Sequence, residues 1–309
     1  IQEEGGVVLP GKLFSEIVRK LPDAMMDLSV DDRNVATIRC AGSRMTLTGM
    51  DTDEFPALPE VENPSVISIA QNTFRDMVQR TSFAIATDET RIILTGCLLE
   101  TEGNDLYLVA LDGFQLALRK HTCENELPKL SAVVPGKVLG ELAKILEDSD
   151  DTVELRFGKS HLLADVGRTR VVARLLEGEF IDFRSSIPNN CTTEVEVKVR
   201  ELLNAIERTS LLINDRLKSP IKLSIGGGEI KIACSTALGK VNDVVECEVK
   251  GEPVEMGFNN RYLSEALRAT GCDKVKIMIT SSLAPVKIVP MEGESFLFLV
   301  LPVRMRAEM

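Results

Sequence analysis

The chain has 309 residues, of which 44% are hydrophobic, and its formal net charge is −11. This is enough chain for two or three domains with apolar cores. No run of about eighteen apolar residues and no N-terminal signal pattern is present, which argues against membrane-spanning and secreted proteins and favours the cytoplasm. The seven cysteines are widely spaced without a C-x-x-C pair, which is typical of reduced core thiols in the cytosol. The acidic balance argues against a uniformly basic nucleic-acid binder, although it leaves the distribution of cations open.

The first predicted element is a helix over residues 11–21, and alternating apolar residues predict three strands after it, at 26–30, 35–40 and 44–49. Clusters of Asp, Asn and Gly between these strands indicate hairpin turns. The segment 55–64 contains three prolines, so we expect a linker there and a domain boundary near Pro64.

The next part of the chain shows one strand, one helix and three strands, and then the same order again. The first set is predicted at 66–70, 71–81, 91–100, 105–112 and 114–120. The second set is predicted at 132–134, 137–146, 152–157, 161–166 and 170–177. Residues 179–190 are polar and irregular, which predicts a second linker and a boundary near Asn190.

The last part of the chain repeats the pattern once more. A strand, a helix and three strands are predicted at 194–199, 200–211, 221–225, 229–235 and 244–249. A helix and three strands follow at 260–269, 275–280, 286–290 and 295–302. Strand-rich units joined by hairpins, with few helices, predict an α+β fold in which antiparallel sheets carry the helices on one side.

The sequence repeats itself with a period of about 125 residues. VVLPGKLFSEIVRKL superposes on VVPGKVLGELAKIL with Pro10 on Pro135, and NNRYLSEALRA is a third copy without Pro-Gly-Lys. A second helix type alternates with the first, because FRDMVQRTSF matches LLNAIERTSL. The alternation begins with the first helix type, so we expect that one leading unit of the second type is absent from this sequence.

The repeated helices carry cations at matching positions. In the first type, two cations stand seven residues apart, which places them on one helical face. Glu16, Glu141 and Glu265 follow the first cation by four residues, so a solvated face with ion pairs is one interpretation. Recurrence in three copies instead favours a surface that faces an extended polyanion such as duplex DNA. The candidate DNA-facing residues are Lys12, Arg19, Lys20, Arg75, Arg80, Lys137, Lys144, Arg200, Arg208, Arg261 and Arg268.

No pattern in the sequence indicates catalysis. The two histidines, His121 and His161, lack metal-ligand spacing, and neither a P-loop nor a G-x-S-x-G pattern occurs. The glycines at 226–228 and the Asp112-Gly113 pair are predicted to form turns. We therefore expect no enzymatic activity, no metal and no cofactor.

Several segments together resemble the bacterial DNA polymerase III beta subunit, the sliding-clamp family. They are the tandem units, VVPGKVLGELAKIL, the R-x-x-L-x-G pattern at 91–96, LDGFQLAL and the terminal LVLPVRM. The resemblance covers the whole chain and implies three domains of one fold. Residues 1–64 would be the C-terminal half of domain 1, 65–190 domain 2 and 191–309 domain 3.

The family resemblance implies a non-catalytic processivity factor. Its subunits would pair head to tail as a homodimeric ring around double-stranded DNA, without sequence preference, with helices lining the hole and sheets outside. Its partners would be the replicative polymerase catalytic subunit, the clamp loader and other proteins with clamp-binding motifs, and no membrane. A chain that lacks the leading unit is expected not to close the ring. The alternative function is a repeat-built scaffold that does not bind DNA.

The resemblance also implies an apolar groove for partner peptides between domains 2 and 3. Its residues in domain 2 would be Leu94, Leu111, Gly113, Phe114, Gln115, Leu116, Ile181, Ser185 and Ser186. Its residues in domain 3 would be Asn259, Tyr262, Leu283, Pro285, Leu299, Leu301, Pro302, Val303, Arg304 and Met305. The chain departs from the family where Phe114-Gln115 replaces a common His-Arg, Ile181 replaces a common Pro and Ser186 replaces an apolar residue. Residues 306–309 extend beyond the usual end.

Overall fold

The computed structural model describes residues 3–57, 59, 61–213 and 219–305. These residues form two compact units, Ile1–Glu60 and Val61–Met309. The units are called unit 1 and unit 2 below. The predicted boundary near Asn190 falls inside unit 2, between two strands.

Unit 1 contains one helix and one small sheet. Its elements are α1 (Gly11–Lys20), β1 (Met26–Val30), β2 (Val35–Cys40) and β3 (Ser43–Thr48). The strands are antiparallel in the order β1-β2-β3, so β1 and β3 are both edges. Ala36, Ile38 and Leu47 form a small core, against which Phe14 and Ile17 of α1 pack.

Unit 1 leaves much apolar surface in contact with solvent. No residue of α1 is fully buried, and every residue of β1 is exposed. Leu13 and Val18 of α1 are 46% and 41% exposed, and Leu28 and Val30 of β1 are 45% and 42% exposed. A stable domain normally covers such side chains, since each contributes about 1.5–3 kcal/mol when it is fully buried.

The first half of unit 2 contains two helices and eight strands. They are β4 (Ser65–Ala70), α2 (Gln71–Thr81), β5 (Gly96–Glu102), β6 (Asp105–Leu111), β7 (Gln115–Thr122), β8 (Ser131–Pro135), α3 (Gly136–Ile145), β9 (Thr152–Phe157), β10 (His161–Val166) and β11 (Thr169–Arg174). Short 3-10 turns follow α2 at Ser82–Ala84 and precede β5 at Glu89–Thr95.

The described residues of the second half of unit 2 form two helices and nine strands. They are β12 (Thr193–Lys198), α4 (Val199–Thr209), β13 (Ile221–Gly226), β14 (Glu229–Thr236), β15 (Gly239–Glu246), β16 (Glu248–Gly251), β17 (Val254–Phe258), α5 (Asn260–Thr270), β18 (Lys274–Ile279), β19 (Val286–Val289) and β20 (Phe296–Val300). A 3-10 turn at Ser210–Leu212 follows α4.

One nine-stranded antiparallel sheet joins the two halves of unit 2. Its order is β16-β12-β18-β19-β20-β7-β6-β5-β8, and β20 pairs with β7 from Phe296 opposite Arg119 to Val300 opposite Gln115. Two four-stranded sheets, β11-β10-β9-β4 and β15-β14-β13-β17, complete the unit. The last strand of the chain therefore fixes the two halves together by backbone hydrogen bonds.

The four helices of unit 2 lie side by side as one layer. The helix α2 packs against both α3 and α5, and α4 packs against α5. The main core lies between this layer and the sheets and includes Phe74, Leu139, Leu202, Leu267 and Phe298. A second apolar cluster covers the opposite face of the nine-stranded sheet, because Leu116 and Leu118 alternate with Ala117 along β7. The predicted α+β class with antiparallel sheets is confirmed.

The strand predicted at 170–177 ends at Arg174, and two other predicted strands differ more from the structure. The predicted strand at 91–100 begins only at Gly96, since Asp88 accepts from the backbone N–H of Thr90 at 2.9 Å and opens a 3-10 turn before it. The predicted strand at 244–249 is interrupted at Cys247, whose N–H donates to the carbonyl of Gly228 at 2.9 Å. The strand β17 was not predicted, although it pairs with β13 along its whole length.

The cysteines are all free thiols, but they are not all in the core. Cys40, Cys97 and Cys234 are buried, whereas Cys191 is exposed. The prediction of core thiols is therefore wrong for Cys191. Burial raises the pKa of Cys97 to about 12, so this thiol stays protonated.

Candidate DNA-facing surface and peptide groove

The candidate DNA-facing cations lie on the solvent side of the helices. Nine of the eleven are exposed, and the two exceptions are Arg75 and Arg80 on α2, which are half-buried. In α3, Lys137 and Lys144 are exposed while Leu139 and Leu142 face the core. In unit 1, the α1 residues Lys12, Arg19 and Lys20 are exposed. The seven-residue spacing therefore places both cations of each pair away from the core.

Among the described residues, carboxylates pair with five of these cations. Lys144 contacts Glu141 at 2.8 Å and Arg261 contacts Glu265 at 2.8 Å, each within one helix. The expected i,i+4 pair of Lys137 with Glu141 is replaced by this i,i+3 pair. The other pairs join different elements, namely Arg208 with Asp243 at 2.5 Å, Arg268 with Glu207 at 2.7 Å and Arg80 with Asp76. Within the described residues, Lys137 and Arg200 have no carboxylate within 4 Å.

Arg80 is held at the contact between α2 and α5 and is not free to meet a distant phosphate. Its guanidinium pairs with Asp76 and donates to the carbonyl of Ala269 at 3.0 Å. Asp76 also pairs with Arg119 of β7. The Nε of its neighbour Arg75 is buried without a hydrogen bond to any described residue. The structure therefore places both α2 arginines partly in the packing of the helix layer.

The centre of the candidate groove is the turn between β6 and β7. Asp112 accepts from the backbone N–H groups of Phe114 at 2.7 Å and Gln115 at 2.9 Å, and Gly113 adopts φ +95°. These contacts hold Phe114 outward, where 56% of it is exposed. Its ring stacks on Tyr262 at the start of α5, with centroids 5.7 Å apart. This pair forms an aromatic shelf that spans the two halves of unit 2.

The candidate groove has a buried apolar floor. Leu94, Leu111, Leu116 and Leu299 are all buried and belong to the second apolar cluster. They support the surface from below and offer little area themselves. The exposed apolar side chains around them are Phe114, Ile181, Leu283, Leu301 and Met305.

The chain end runs beside the aromatic shelf. The N–H of Leu301 donates to the carbonyl of Phe114 at 2.8 Å, and the N–H of Val303 donates to the carbonyl of Gly257 at 2.8 Å. A side chain at position 257 would meet Met305, because a Cβ built there lies 2.7 Å from its Cγ. Pro302 is half-buried and Arg304 is exposed beside these contacts.

The remaining candidate groove residues have different environments. Asn259 caps α5, since its side chain accepts from the N–H of Arg261 at 3.0 Å. Pro285 is half-buried, and Ser185 and Ser186 are exposed on the segment between β11 and β12. Gln115 is buried and points into the helix layer, where its Nε2 donates to the carbonyl of Phe83 at 3.1 Å. Gln115 thus supports the turn from behind.

The turns predicted at the glycines and at Asp112-Gly113 are present. Gly226 pairs with Glu229 across a tight hairpin between β13 and β14, so the prediction of a turn is confirmed. In the described part of the chain, no three His, Cys, Asp or Glu side chains are grouped to hold a metal ion. No helix among the described residues is long and apolar enough to cross a membrane.

Family models match nearly the whole chain. The model for the DNA polymerase III beta subunit central domain matches residues 68–182, that for the C-terminal domain matches 184–304, and that for the N-terminal domain matches 1–59. The chain belongs to the DNA polymerase III beta subunit family. The resemblance inferred from the sequence motifs is confirmed.

Known members of the beta subunit family are similar along most of their length. The beta sliding clamp of Staphylococcus epidermidis is 33% identical over 306 residues, which are 98% of this chain and 81% of that protein. The crystal structure of the DNA polymerase sliding clamp from Bacillus subtilis has a TM-score of 0.91 at 33% identity, covering 98% of this chain and 80% of that one. The sliding clamp from Pseudomonas aeruginosa bound to griselimycin has a TM-score of 0.90 at 28% identity, covering 98% and 82%.

Membership of the beta subunit family places the chain in DNA replication. A sliding clamp is a processivity subunit of DNA polymerase III and not its catalytic subunit. As a member of this family, the chain is a non-catalytic subunit, as the sequence predicted.

Proposed function

We propose that this chain is a sliding clamp that encircles duplex DNA as a head-to-tail ring dimer in the cytoplasm. The observation that carries the proposal is the single layer of α3, α2, α5 and α4, whose solvent side presents exposed cations on α3, α4 and α5. Lys137 and Lys144 on α3 and Arg261 and Arg268 on α5 keep the seven-residue spacing on exposed faces. Such a layer fits a surface of regularly spaced phosphates.

The ion pairs on the helix layer suit a protein that slides. An exposed ion pair contributes only about 0–1 kcal/mol, so a phosphate can displace the carboxylate at little cost. Lys144 and Arg268 are both more than half exposed and paired in this way. Contacts of this kind address the phosphate backbone and carry no sequence preference. The net charge of −11 is compatible with this surface, because a net charge does not fix where the cations lie.

The proposed ring needs a self-interface, and the edge strand β15 supplies one side of it. Val244 of β15 is 51% exposed, Leu238 in the turn before β15 is 67% exposed, and Leu211 beside α4 is 82% exposed. An edge strand with apolar neighbours is a surface that pairs readily with another strand. In the head-to-tail arrangement, its partner would be a strand of the first domain of the other subunit.

The groove is proposed as the site that recruits the replicative polymerase, the clamp loader and other proteins with clamp-binding motifs. Its exposed apolar side chains lie on a buried floor and beside the Phe114–Tyr262 shelf, which suits an extended peptide with apolar side chains.

The alternative function is a protein-interaction scaffold that does not bind DNA. The five paired cations favour it, because each carboxylate neutralises a charge that would otherwise attract a polyanion. The two functions differ in the response of DNA binding to the loss of helix cations.

The test is the salt dependence of DNA binding, measured by fluorescence anisotropy with a labelled duplex. Lys137→Glu together with Lys144→Glu should weaken binding and lower the salt slope by about 2, since about 0.9 counterions are released per phosphate contact. Lys231→Glu with Lys250→Glu is the matched control, because both lysines are exposed on strands and the change in net charge is the same. If the Lys137→Glu, Lys144→Glu variant folds normally and its salt slope is unchanged, the DNA-facing assignment is wrong. The scaffold function would then be favoured.

A further inference from the structure

Arg184 ties the segment between β11 and β12 to the outer face of the nine-stranded sheet. This segment also carries Ile181, Ser185 and Ser186, which form one wall of the candidate groove. The guanidinium of Arg184 lies 2.8 Å from Glu100 Oε2 and 3.5 Å from Glu102 Oε2, both on β5. It therefore reaches from the wall to a strand that the groove peptide would not touch.

Two aromatic rings flank the Arg184 guanidinium. Its central carbon is 4.6 Å from the centroid of Phe183 and 5.8 Å from that of Tyr107. Phe183 is 3% exposed in the second apolar cluster, so it fixes the segment from below. A planar guanidinium between aromatic faces and carboxylates has one preferred position, which a lysine ammonium cannot reproduce.

Few other contacts hold this wall. Among the described residues, the backbone N–H groups at 180–187 donate only within the segment, as from Ser186 to the carbonyl of Phe183 at 3.1 Å. The hydroxyl of Ser185 donates to the carbonyl of Asp182 at 2.7 Å, which is also local. The side chains of Phe183 and Arg184 thus carry most of the attachment to the sheet, with Phe180 and Ile187 packed beside them.

We propose that Arg184 is a positioning residue of the peptide groove, which sets the place of the Ile181–Ser186 wall without contacting the peptide. The proposal rests on the proposed function of the groove. When the clasp formed by Arg184, Glu100 and Glu102 is intact, the wall is already ordered before the peptide arrives. When it is lost, part of the binding free energy is spent on ordering the wall, which lowers affinity chiefly through faster dissociation.

The test uses the full chain and a fluorescein-labelled synthetic peptide that ends in Leu-Phe. Arg184→Ala should weaken peptide binding about five- to tenfold, through the dissociation rate, since ordering costs of this size accompany each immobilised side chain. Arg184→Lys should recover only part of the loss. Arg174→Ala is the matched control, because Arg174 lies at the end of β11, is 72% exposed and pairs with Glu177 at 2.8 Å. This control should bind like the wild type.

Hydrogen exchange separates positioning from direct contact. Arg184→Ala should speed exchange at 180–187 in the peptide-free protein, whereas Phe114→Ala should weaken binding without changing exchange there. Glu100→Gln should have little further effect in an Arg184→Ala background, because both substitutions open the same clasp. Glu102 is 71% exposed, so Glu102→Gln provides a folded variant if Arg184→Ala unfolds, with a smaller loss of affinity expected.

The possible results have distinct meanings. Equal peptide affinity of Arg184→Ala and wild type overturns the positioning role and leaves the groove intact. Additive effects of Arg184→Ala and Glu100→Gln, with unchanged exchange at 180–187, also overturn it, since Arg184 would then act by touching the peptide. Failure of the wild type itself to bind the peptide overturns the groove and this inference together.

Discussion

The guanidinium of Arg80 occupies the space that a side chain at position 271 would need. A Cβ built on Gly271 lies 1.7 Å from one terminal nitrogen of Arg80, and that nitrogen donates to the carbonyl of Ala269 at 3.0 Å. Gly271 ends α5 with φ +61°, a left-handed conformation that favours glycine. The last turn of α5 is therefore capped by an arginine of α2, which joins the two halves of unit 2.

Gly271→Ala should lower the free energy of unfolding by about 2–4 kcal/mol, because backbone strain and the displacement of Arg80 add together. Gly227→Ala isolates the strain, since Gly227 has φ +64° and no atom within 4 Å of the built Cβ. Gly227→Ala should lower the free energy of unfolding by about 1–2 kcal/mol. Urea unfolding measures both variants. Equal losses at the two positions would mean that the Arg80 contact does not constrain Gly271.

The Phe114–Tyr262 shelf should contribute more to peptide affinity than the burial of each ring alone would provide. Phe114→Ala and Tyr262→Ala should each weaken binding of the Leu-Phe peptide about five- to thirtyfold. The two should couple by about 0.5–1.5 kcal/mol in a double-mutant cycle, because the rings are stacked. Val66→Ala is the control, since Val66 is 38% exposed on the separate sheet that contains β4. Isothermal titration calorimetry is the measurement, and full additivity would contradict a shared role for the rings.

Ring closure should depend on the apolar edge beside β15. In a subunit with three complete domains, Leu211→Asp should shift the dimer towards monomer in sedimentation velocity, because it places a charge among Leu238 and Val244. Leu283→Asp is the control, since Leu283 is 72% exposed between β18 and β19, which belong to a different sheet from β15.

The Arg208–Asp243 pair should make the free energy of unfolding depend on pH in the acidic range. The hydrogen bond from Arg208 at 2.5 Å, assisted by the N–H of Val244 at 2.9 Å, holds the pKa of Asp243 below its ordinary value of 3.8. A lowered pKa stabilises the folded state above pH 3.8, and this contribution is lost as pH falls through the folded-state pKa. Asp243→Asn should therefore cost about 0.5–1 kcal/mol at pH 7 and progressively less below pH 3.8. Urea unfolding of the wild type and Asp243→Asn at pH 7 and below pH 3.8 checks this. A loss of unfolding free energy that is independent of pH would contradict it.

Local patterns in the sequence predicted much of the fold. The predicted helix at 71–81 coincides with α2, and the predicted strands at 152–157 and 161–166 coincide with β9 and β10, because period and turn residues agree there. The predicted strand across 91–95 was wrong because Asp88 provides a local alternative for the backbone N–H groups. β17 was missed because its pairing with β13, which lies about thirty residues earlier, decides its conformation.

Contacts between distant residues account for what the sequence did not reveal at the site. The spacing of Lys137 and Lys144 predicted their exposure, but no pattern connects Arg268 with Glu207 or Arg80 with the carbonyl of Ala269, which is 189 residues away. Gln115 was assigned to the groove by its place in the motif, and only the packing shows its side chain buried behind the turn. Arg184 was not a candidate, because an arginine in a polar linker gives no sign of its partners on β5.

Topological retention on circular DNA tests the proposed ring most directly. A subunit with three complete domains would be loaded by its clamp loader onto a nicked plasmid, isolated by gel filtration at about 0.5 M salt, and then treated with a restriction enzyme that cuts the plasmid once. A ring should remain with the nicked circle at this salt concentration and leave after linearisation, because only topology holds it. Retention on linear and circular DNA to the same extent, or on neither, would contradict the account.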